Sequence, residues 1–335
     1  MGESRKSIRY LRYAVQAIFL LMTLHIGYRF YHFVLHFESH GSPFVQRPPS
    51  ADAFLPIAGM MSFKYFLSTG IIEPLHPSAF IMFSAIICIS FLLKKGFCGW
   101  ICPIGTISQY LWMAGEKVSG RNFRTPRYAD IILRSVKYIL MAFFIFIIWG
   151  RMPRTALEEF FLSDYYKIAD IKTMKFFTEM STATSWSLAG IGGLSLLYKN
   201  FWCRYLCPYG ALLGLLSRLS PVKIIRSEEH CSHCRACTRN CPALIDVEKQ
   251  EAVKSAECFG CMTCVSVCPS KGALAISFKT GRKRHAVSTF LYPALMILLF
   301  YLVIGAGVTA GKWHSQLTYE EYRHLIPETS KLTHP

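Results

Sequence analysis

Five apolar segments alternate with basic or polar stretches along the 335-residue chain. A helix that crosses a bilayer needs about 20 predominantly apolar residues, and each segment approaches that length. The predicted spans are Tyr13–Phe37, Ser78–Leu93, Val136–Gly150, Ser181–Tyr198 and Ala286–Ala310. The second and third are the shortest, so their ends are the least defined. The pattern predicts an α-helical integral membrane protein with about five transmembrane helices.

Lysine and arginine are unevenly distributed between these segments. The N-terminus and the stretches after the second and fourth spans carry 26 of them, whereas the other three stretches carry 10. The positive-inside rule places the N-terminus in the cytoplasm and the C-terminus on the periplasmic side. The first apolar stretch has no A-x-A-like cleavage site, so we interpret it as an uncleaved span. The net charge of +17 therefore indicates cytoplasmic loops rather than nucleic-acid binding.

A short motif of the form aromatic-C-x3-C-P-x-G occurs twice, at Phe97–Gly105 and Trp202–Gly210. Each copy follows a span that runs from outside to inside and precedes a segment with helical character. The first and second spans with the motif at Phe97–Gly105 therefore have the same order of elements as the third and fourth spans with the motif at Trp202–Gly210. Two parallel repeats related by an axis along the membrane normal would bring both motifs to the cytoplasmic face.

The strongest chemical signal is C-x2-C-x2-C-x3-C-P, which also occurs twice. In two-cluster ferredoxins the fourth cysteine of each run ligates the other cluster. Zinc sites instead favour pairs of C-x2-C separated by a longer loop. We therefore predict two [4Fe–4S] clusters with crossed ligation. The predicted ligands are Cys231, Cys234, Cys237 and Cys268 for cluster 1, and Cys258, Cys261, Cys264 and Cys241 for cluster 2.

The C-x3-C-P pairs supply four more cysteines: Cys98, Cys102, Cys203 and Cys207. Each proline suits the first turn of a helix, which places the preceding cysteine at a helix N-terminus. That position favours thiolate over thiol and so favours metal binding. The two pairs together could hold one further metal centre at the membrane surface. A dithiol redox pair and a purely structural role remain alternatives.

The first span carries four ionisable residues on one helical face: His25, Arg29, His32 and His36. Ionisable residues within a span usually face a bundle interior or a polar cavity. A quinone site near the outer face, formed by His25, Arg29, His32 and Arg47 of the outer loop, is one explanation. Snorkelling to the membrane interface is another. A haem b site is the least favoured, because His76 is the only plausible second axial ligand.

These features divide the chain into seven parts. They are a cytoplasmic basic arm with the first span (1–37), an outer loop (38–77), the second span with the first C-x3-C-P segment (78–137), the third and fourth spans with the second C-x3-C-P segment (138–219), an inserted α+β ferredoxin-like domain with two clusters (220–285), the fifth span (286–310) and an outer C-terminal tail (311–335). No nicotinamide-binding glycine motif, P-loop or covalent haem motif is present.

The two C-x3-C-P motifs and the double cluster run resemble the NapH-type membrane ferredoxins, a superfamily that includes MauN and the C-terminal half of NosR. The resemblance covers most of the chain between about residues 80 and 280. It implies a bacterial cytoplasmic-membrane subunit that carries electrons between the quinone pool and a partner redox subunit. This subunit would be the quinol dehydrogenase-like electron-transfer subunit of a larger oxidoreductase complex, and another subunit would carry out terminal substrate reduction. The alternative is a maturation factor that supplies electrons for metal-centre assembly in a respiratory enzyme.

Overall fold

The structure, a computed structural model, describes residues 3–39, 42–280 and 283–334. The other residues fall in the predicted basic arm, outer loop, ferredoxin-like domain and outer tail, and those parts of the domain predictions lie outside the described residues. The described chain is mostly helical. The α-helices are α1 (Glu3–Glu38), α2 (Pro56–Thr69), α3 (Pro77–Leu92), α4 (Gly96–Trp100), α5 (Pro103–Ser119), α6 (Arg127–Ile145), α7 (Arg154–Leu162), α8 (Asp164–Lys167), α9 (Ala169–Thr178), α10 (Thr182–Leu197), α11 (Pro208–Leu219), α12 (Ala236–Arg239), α13 (Thr263–Ser266), α14 (Leu291–Thr309) and α15 (Tyr319–Leu325).

Each of the five predicted spans falls on a helix: α1, α3, α6, α10 or α14. Helix α6 continues as a π-helix over Phe146–Arg151. Within the described residues, three helices are long and apolar enough to cross a membrane: Ser7–Glu38, Arg127–Arg151 and Leu291–Thr309. Helices α3 and α10 have only 16 residues each, which is short of the roughly 20 that a bilayer requires.

Proline and glycine set several of the helix boundaries. Helices α2, α5 and α11 each begin with proline, whose fixed φ suits the first helical turn. Helices α2 and α5 end before Gly70 and Gly120, which adopt the left-handed conformation with φ of 74° and 71°. The stretch predicted as an outer loop is thus largely ordered, because α2 and the 3-10 helix Pro49–Phe54 lie within it.

The chain divides into two compact units. Unit 1 comprises Met1–Leu20, Ile86–Met141 and Leu188–Phe300. It contains all thirteen cysteines and a three-stranded antiparallel sheet in the order β1 (Val222–Arg226), β2 (Leu274–Thr280) and β3 (Lys283–Ala286). Strands β1 and β2 pair with Ile224 opposite Ile276, and both of these side chains are buried. The sheet therefore joins the two ends of the cysteine-rich segment that contains α12 and α13.

Unit 2 comprises Leu21–Ala85, Ala142–Ser187 and Tyr301–Pro335. Its core is a cluster of apolar side chains from the end of α1, α9, α15 and nearby segments. The buried members are Phe30, Phe33, Val34, Ala51, Ile168, Ile171, Leu317, Tyr322, Leu325 and Ile326. Helix α15 is started by a capping box, in which Thr318 and Glu321 satisfy each other's backbone N–H groups. This core anchors the predicted outer tail to the rest of the unit.

Candidate metal centres

The two C-x2-C-x2-C runs adopt matching backbone conformations. In each run the third cysteine lies in a short helix. The residue that precedes this helix has a positive φ, 58° at Arg235 and 55° at Met262. Helices α12 and α13 then begin at once and carry Cys237 and Cys264, both buried. A left-handed turn of this kind directs successive backbone N–H groups inward, where they can donate to sulfur. The equal spacing in the sequence thus produces two equal loops.

The fourth cysteine of each run lies with the other run. Cys241 is close enough to Cys258 and Cys261 for their charges to interact. A cavity in unit 1 is lined by Cys241 and by Cys258, Cys261 and Cys264, and its other lining residues are mainly apolar. Conversely, Cys268 lies near Cys237. The Ser270 hydroxyl donates to the Ser232 hydroxyl at 3.0 Å, which ties the segment after Cys268 to the first run.

The spread of these sulfurs fits a cluster better than a single zinc ion. Tetrahedral zinc with Zn–S bonds of about 2.3 Å holds its sulfurs about 3.8 Å apart. Within the described residues, no three cysteine sulfurs lie within 4.8 Å of one another. The group of potential metal ligands that does meet this limit consists of Asp52, His76 and Asp170. Four thiols around a mostly apolar cavity suit a [4Fe–4S] cluster, whose iron and sulfide atoms would fill the space between them.

The two C-x3-C-P motifs also have the same local geometry. The N–H of Cys102 donates to the Phe97 carbonyl at 2.9 Å, and the N–H of Cys207 donates to the Trp202 carbonyl at 3.0 Å. These six-residue turns precede Pro103 and Pro208, the first residues of α5 and α11. Cys102 and Cys207 are therefore the N-cap residues, as the prolines predict. The Sγ of Cys207 accepts from the N–H of Gly210 at 3.2 Å.

All four C-x3-C-P thiols come together in unit 1. Cys203 interacts electrostatically with Cys207, Cys102 and Cys98, so the two pairs form one group. Burial raises the pKa of the Cys98 thiol to about 12 and that of Cys102 to about 11. For Cys102 the backbone N–H groups of Ile104 and Gly105 lower the pKa, the direction that its position at the helix N-terminus predicts, but burial outweighs them. Binding of a metal cation turns buried thiols into stable thiolates, and four cysteines are the usual donor set of an iron–sulfur cluster.

The four-thiol group lies directly against the second cluster loop. Gly99, between Cys98 and Cys102, approaches Phe259 so closely that an added Cβ would lie 2.7 Å from its carbonyl oxygen. The same Cβ would lie 3.6 Å from the Cβ of Cys261. The indole N–H of Trp100 donates to the Gly260 carbonyl at 3.1 Å. Only glycine at position 99 allows the two cysteine-bearing loops to meet at this distance.

Charged residues that the motifs do not reveal surround this contact. Lys137 forms a buried ion pair with Glu257, its Nζ 2.8 and 2.7 Å from the two carboxylate oxygens. Glu257 precedes the cluster ligand candidate Cys258. Arg12 of α1 donates to the Cys261 carbonyl at 3.2 Å and to the Gln109 side chain at 3.0 Å. A lysine and an arginine within or beside apolar helices are the sequence signal that would have identified these residues.

In unit 2 the predicted quinone residues do not form one group. Phe30, Phe33 and Val34 of α1 are buried, whereas His25 and Arg29 are exposed, so the polar face points away from the core of the unit. His32 is half-buried and its ring contacts the rings of Tyr28 and Tyr31. His36 is fixed by the Ser42 carbonyl and the Tyr319 hydroxyl at 2.6 and 2.9 Å.

Arg47 belongs instead to a buried network of four ionisable side chains. Its guanidinium donates to Asp170 at 2.9 Å and contacts Asp52. His76 has its Nδ1 3.0 Å from Asp52 and its Nε2 2.9 Å from the Tyr166 carbonyl. Burial opposes a charge on His76, but the Asp52 carboxylate overcomes it and raises the pKa of His76 to about 9. Both ring nitrogens therefore donate, which leaves none for a haem iron in this arrangement.

Two family models match the chain. A 4Fe–4S binding domain model matches residues 75–126 and 183–227, which contain the two C-x3-C-P motifs. A 4Fe–4S dicluster domain model matches residues 223–269, which contain the double C-x2-C-x2-C run. Iron–sulfur domains thus cover all twelve cysteines of the four motifs.

Several curated proteins are similar to this chain, whereas no solved structure matches it significantly. YccM of Escherichia coli strain K12, named as a candidate electron transport protein, is 43% identical over 96% of this chain and 91% of its own length. The ferredoxin-type protein NapH of Haemophilus influenzae is 27% identical over 58% of this chain and 68% of its own. The regulatory protein NosR of Pseudomonas aeruginosa is 23% identical, and the match covers 63% of this chain but 29% of NosR. The chain therefore belongs to the family of 4Fe–4S ferredoxin-type proteins that contains YccM and is related to NapH and NosR.

Proposed function

We propose that this protein is a membrane-bound electron-transfer subunit that links the quinone pool to a partner oxidoreductase. The observation that carries the proposal is the direct contact between two groups of cysteines, at Gly99 and Phe259. Iron–sulfur clusters supply one-electron transfer and need no general acid or base. The names of the relatives, which include electron transport and ferredoxin-type proteins, support the same class of function.

The ferredoxin-like module holds two [4Fe–4S] clusters with crossed ligation. Cluster 1 takes Cys231, Cys234, Cys237 and Cys268, and cluster 2 takes Cys258, Cys261, Cys264 and Cys241. The cavity shared by Cys241 and the second run supports the crossing. Cluster 1 has an exposed ligand, Cys234, whereas Cys241 and Cys264 of cluster 2 are buried. Cluster 1 is therefore the centre that exchanges electrons with the partner redox protein.

The C-x3-C-P cysteines hold a third centre. The mutual proximity of Cys98, Cys102, Cys203 and Cys207 supports it, as does the 4Fe–4S binding domain model that matches both segments. At this position the third centre adjoins cluster 2 across Gly99. Electrons then pass between the third centre and cluster 1 by way of cluster 2.

We place the protein in the cytoplasmic membrane with five spans, two of them short. The bias of 26 to 10 in lysine and arginine supports a cytoplasmic N-terminus and cytoplasmic clusters, with a periplasmic C-terminus. The two C-x3-C-P segments share their order of elements, which supports two parallel repeats. The short helices α3 and α10 then occupy matching positions in the two repeats.

The quinone site uses the polar face of α1, at His25, Arg29 and His32. Their orientation away from the core of unit 2 supports a ligand that approaches from the bilayer or from a partner subunit. A histidine there would accept the proton that a quinol releases on oxidation. Arg47 is left out of this site because its guanidinium is paired with Asp52 and Asp170.

Anaerobic addition of a reduced quinol analogue to the purified protein tests the proposal. We expect electron paramagnetic resonance signals of reduced clusters to appear, and a His25→Gln variant to reduce more slowly. If dithionite reduces the clusters while no quinol does, the quinone link is wrong. The alternative role, supplying electrons for metal-centre assembly, would then be examined by identifying the proteins that co-purify.

A further inference from the structure

Two adjacent lysines, Lys94 and Lys95, lie between α3 and the first C-x3-C-P motif. Both are almost completely buried, with 1% and 4% of their surface exposed. Burying an ammonium group is costly unless it meets an opposite charge or several acceptors. Two such residues in sequence, immediately before four candidate metal ligands, therefore need a physical reason.

The backbone directs the two side chains to different places. Lys94 has φ of 60°, a left-handed conformation that is uncommon outside glycine. Its N–H donates to the Ser220 hydroxyl at 2.9 Å, which holds the turn. Its Nζ donates to the Val253 carbonyl at 3.0 Å and reaches the Ser255 carbonyl at 3.5 Å. Burial lowers the pKa of the Lys94 ammonium and the neighbouring Cys258 opposes that shift, so the two groups lie close together.

Lys95 points instead into the four-thiol group. Its charge interacts with Cys98, then with the Glu257 carboxylate, and then with Cys207 and Cys203. An added Cβ at Gly210 would lie 3.5 Å from the Nζ of Lys95 and 3.4 Å from the Sγ of Cys207, so the ammonium and this sulfur flank the same small space. The turn at Lys94 thus places one cation beside each of two neighbouring groups of cysteines.

The other buried side chains nearby do not replace Lys95. Lys137 also acts on Cys98, but its two short hydrogen bonds are to Glu257. Lys95 is the lysine that acts on Cys102 and Cys203 as well. When the two C-x3-C-P motifs are aligned, Asn200 occupies the position that corresponds to Lys95. Asn200 is neutral and donates to the Pro242 carbonyl at 3.0 Å. At this position the first repeat therefore carries a cation and the second a neutral side chain.

We propose that Lys95 sets the reduction potential of the C-x3-C-P centre, and that Lys94 sets the potential of cluster 2, each by holding a buried positive charge beside the cluster ligands. This inference rests on the proposed third centre. Reduction adds negative charge to a cluster, so a fixed cation stabilises the reduced form and raises the potential. Burial limits screening by water and salt, which makes the effect of each lysine strongest on its nearer centre.

Redox titration of the full-length protein, followed by electron paramagnetic resonance, tests the inference. In Lys95→Met we expect the midpoint potential of the third centre to fall, with a smaller change at cluster 2. In Lys94→Met we expect the reverse pattern. Lys95→Arg retains the charge and should keep the potential near that of the native protein. The matched control is Lys249→Met, which removes an exposed lysine of the ferredoxin-like module and should change neither potential.

Iron content separates failure of this inference from failure of the proposed function. If the native protein binds only the iron of two clusters, the third centre is wrong, and the Lys94 arm still tests the charge effect on cluster 2. If Lys95→Met retains all its iron and its potentials are unchanged, the role of Lys95 is overturned. If Lys95→Met loses the third centre while Lys95→Arg keeps it, the need for a positive charge is supported. Loss in both variants would show a packing role and would overturn the inference.

Discussion

Removal of the Lys137 ammonium should destabilise the protein far more than removal of an exposed partner in an ion pair. The Lys137 side chain is 1% exposed and that of Glu257 9%, and their atoms meet at 2.7 Å. Lys137→Met leaves the Glu257 carboxylate buried, with the Tyr138 hydroxyl at 3.3 Å as a remaining hydrogen-bond donor. Breaking a buried pair from one side typically costs about 3–5 kcal/mol. Because Lys95 also faces Glu257 and offsets part of the charge, we expect about 3 kcal/mol.

The matched control is Arg154→Met, which breaks an i,i+4 pair whose side chains are 59% and 37% exposed. Water and salt screen an exposed pair of that kind, so it contributes little to stability. Thermal unfolding in detergent, followed by far-UV circular dichroism, should show a loss of about 5–10 °C for Lys137→Met and about 2 °C or less for the control. The double variant Lys137→Met/Glu257→Met should recover most of the loss, because it leaves no unpaired charge. Equal shifts for the two single variants would show that the buried Lys137–Glu257 pair contributes no more to stability than the exposed pair.

Three further results are expected. Gly99→Ala should destabilise the protein by about 1–3 kcal/mol and lower its iron content, because the new Cβ would lie 2.7 Å from the Phe259 carbonyl oxygen. The control variant Gly27→Ala should change neither stability nor iron content, because its new Cβ would lie in open space. Cys241→Ser should give the same cluster spectrum as Cys264→Ser, and a match to Cys237→Ser instead would overturn the crossed ligation. His76 has a folded pKa of about 9 against about 6.5 unfolded, so its stabilisation of up to about 3 kcal/mol is complete below pH 6.5 and is lost as the pH rises through 9. A His76→Gln variant should lose that pH dependence of thermal unfolding, and an unchanged profile would contradict the charged imidazolium.

The sequence predicts much of unit 1 because its chemistry is local. Fixed cysteine spacing produces the two equal loops that end in Cys237 and Cys264. The prolines after Cys102 and Cys207 predict the helix starts that the structure has. Local pattern does not reveal how strongly a site is buried, so the sequence predicts the N–H groups that face Cys102 but not the burial that outweighs their effect on its pKa.

Unit 2 is harder to predict because its polar contacts join distant parts of the chain. Arg47 and Asp170 are separated by 123 residues, and no motif marks the pair. Helical periodicity shows that His25 and Arg29 share a face, but it does not show whether that face meets the core. The apolar residues on the adjacent face, among them Phe33, bind the core instead. The positions of helices are thus predictable here, whereas the partners of their polar side chains are not.

Iron analysis of the purified protein tests the central claim most directly. Three four-cysteine sites predict about twelve irons per chain, four for each site. A Cys98→Ser variant should fall to about eight while the signals of clusters 1 and 2 remain. Eight irons per chain in both the native protein and the variant would contradict the account, because the C-x3-C-P cysteines would then hold no cluster.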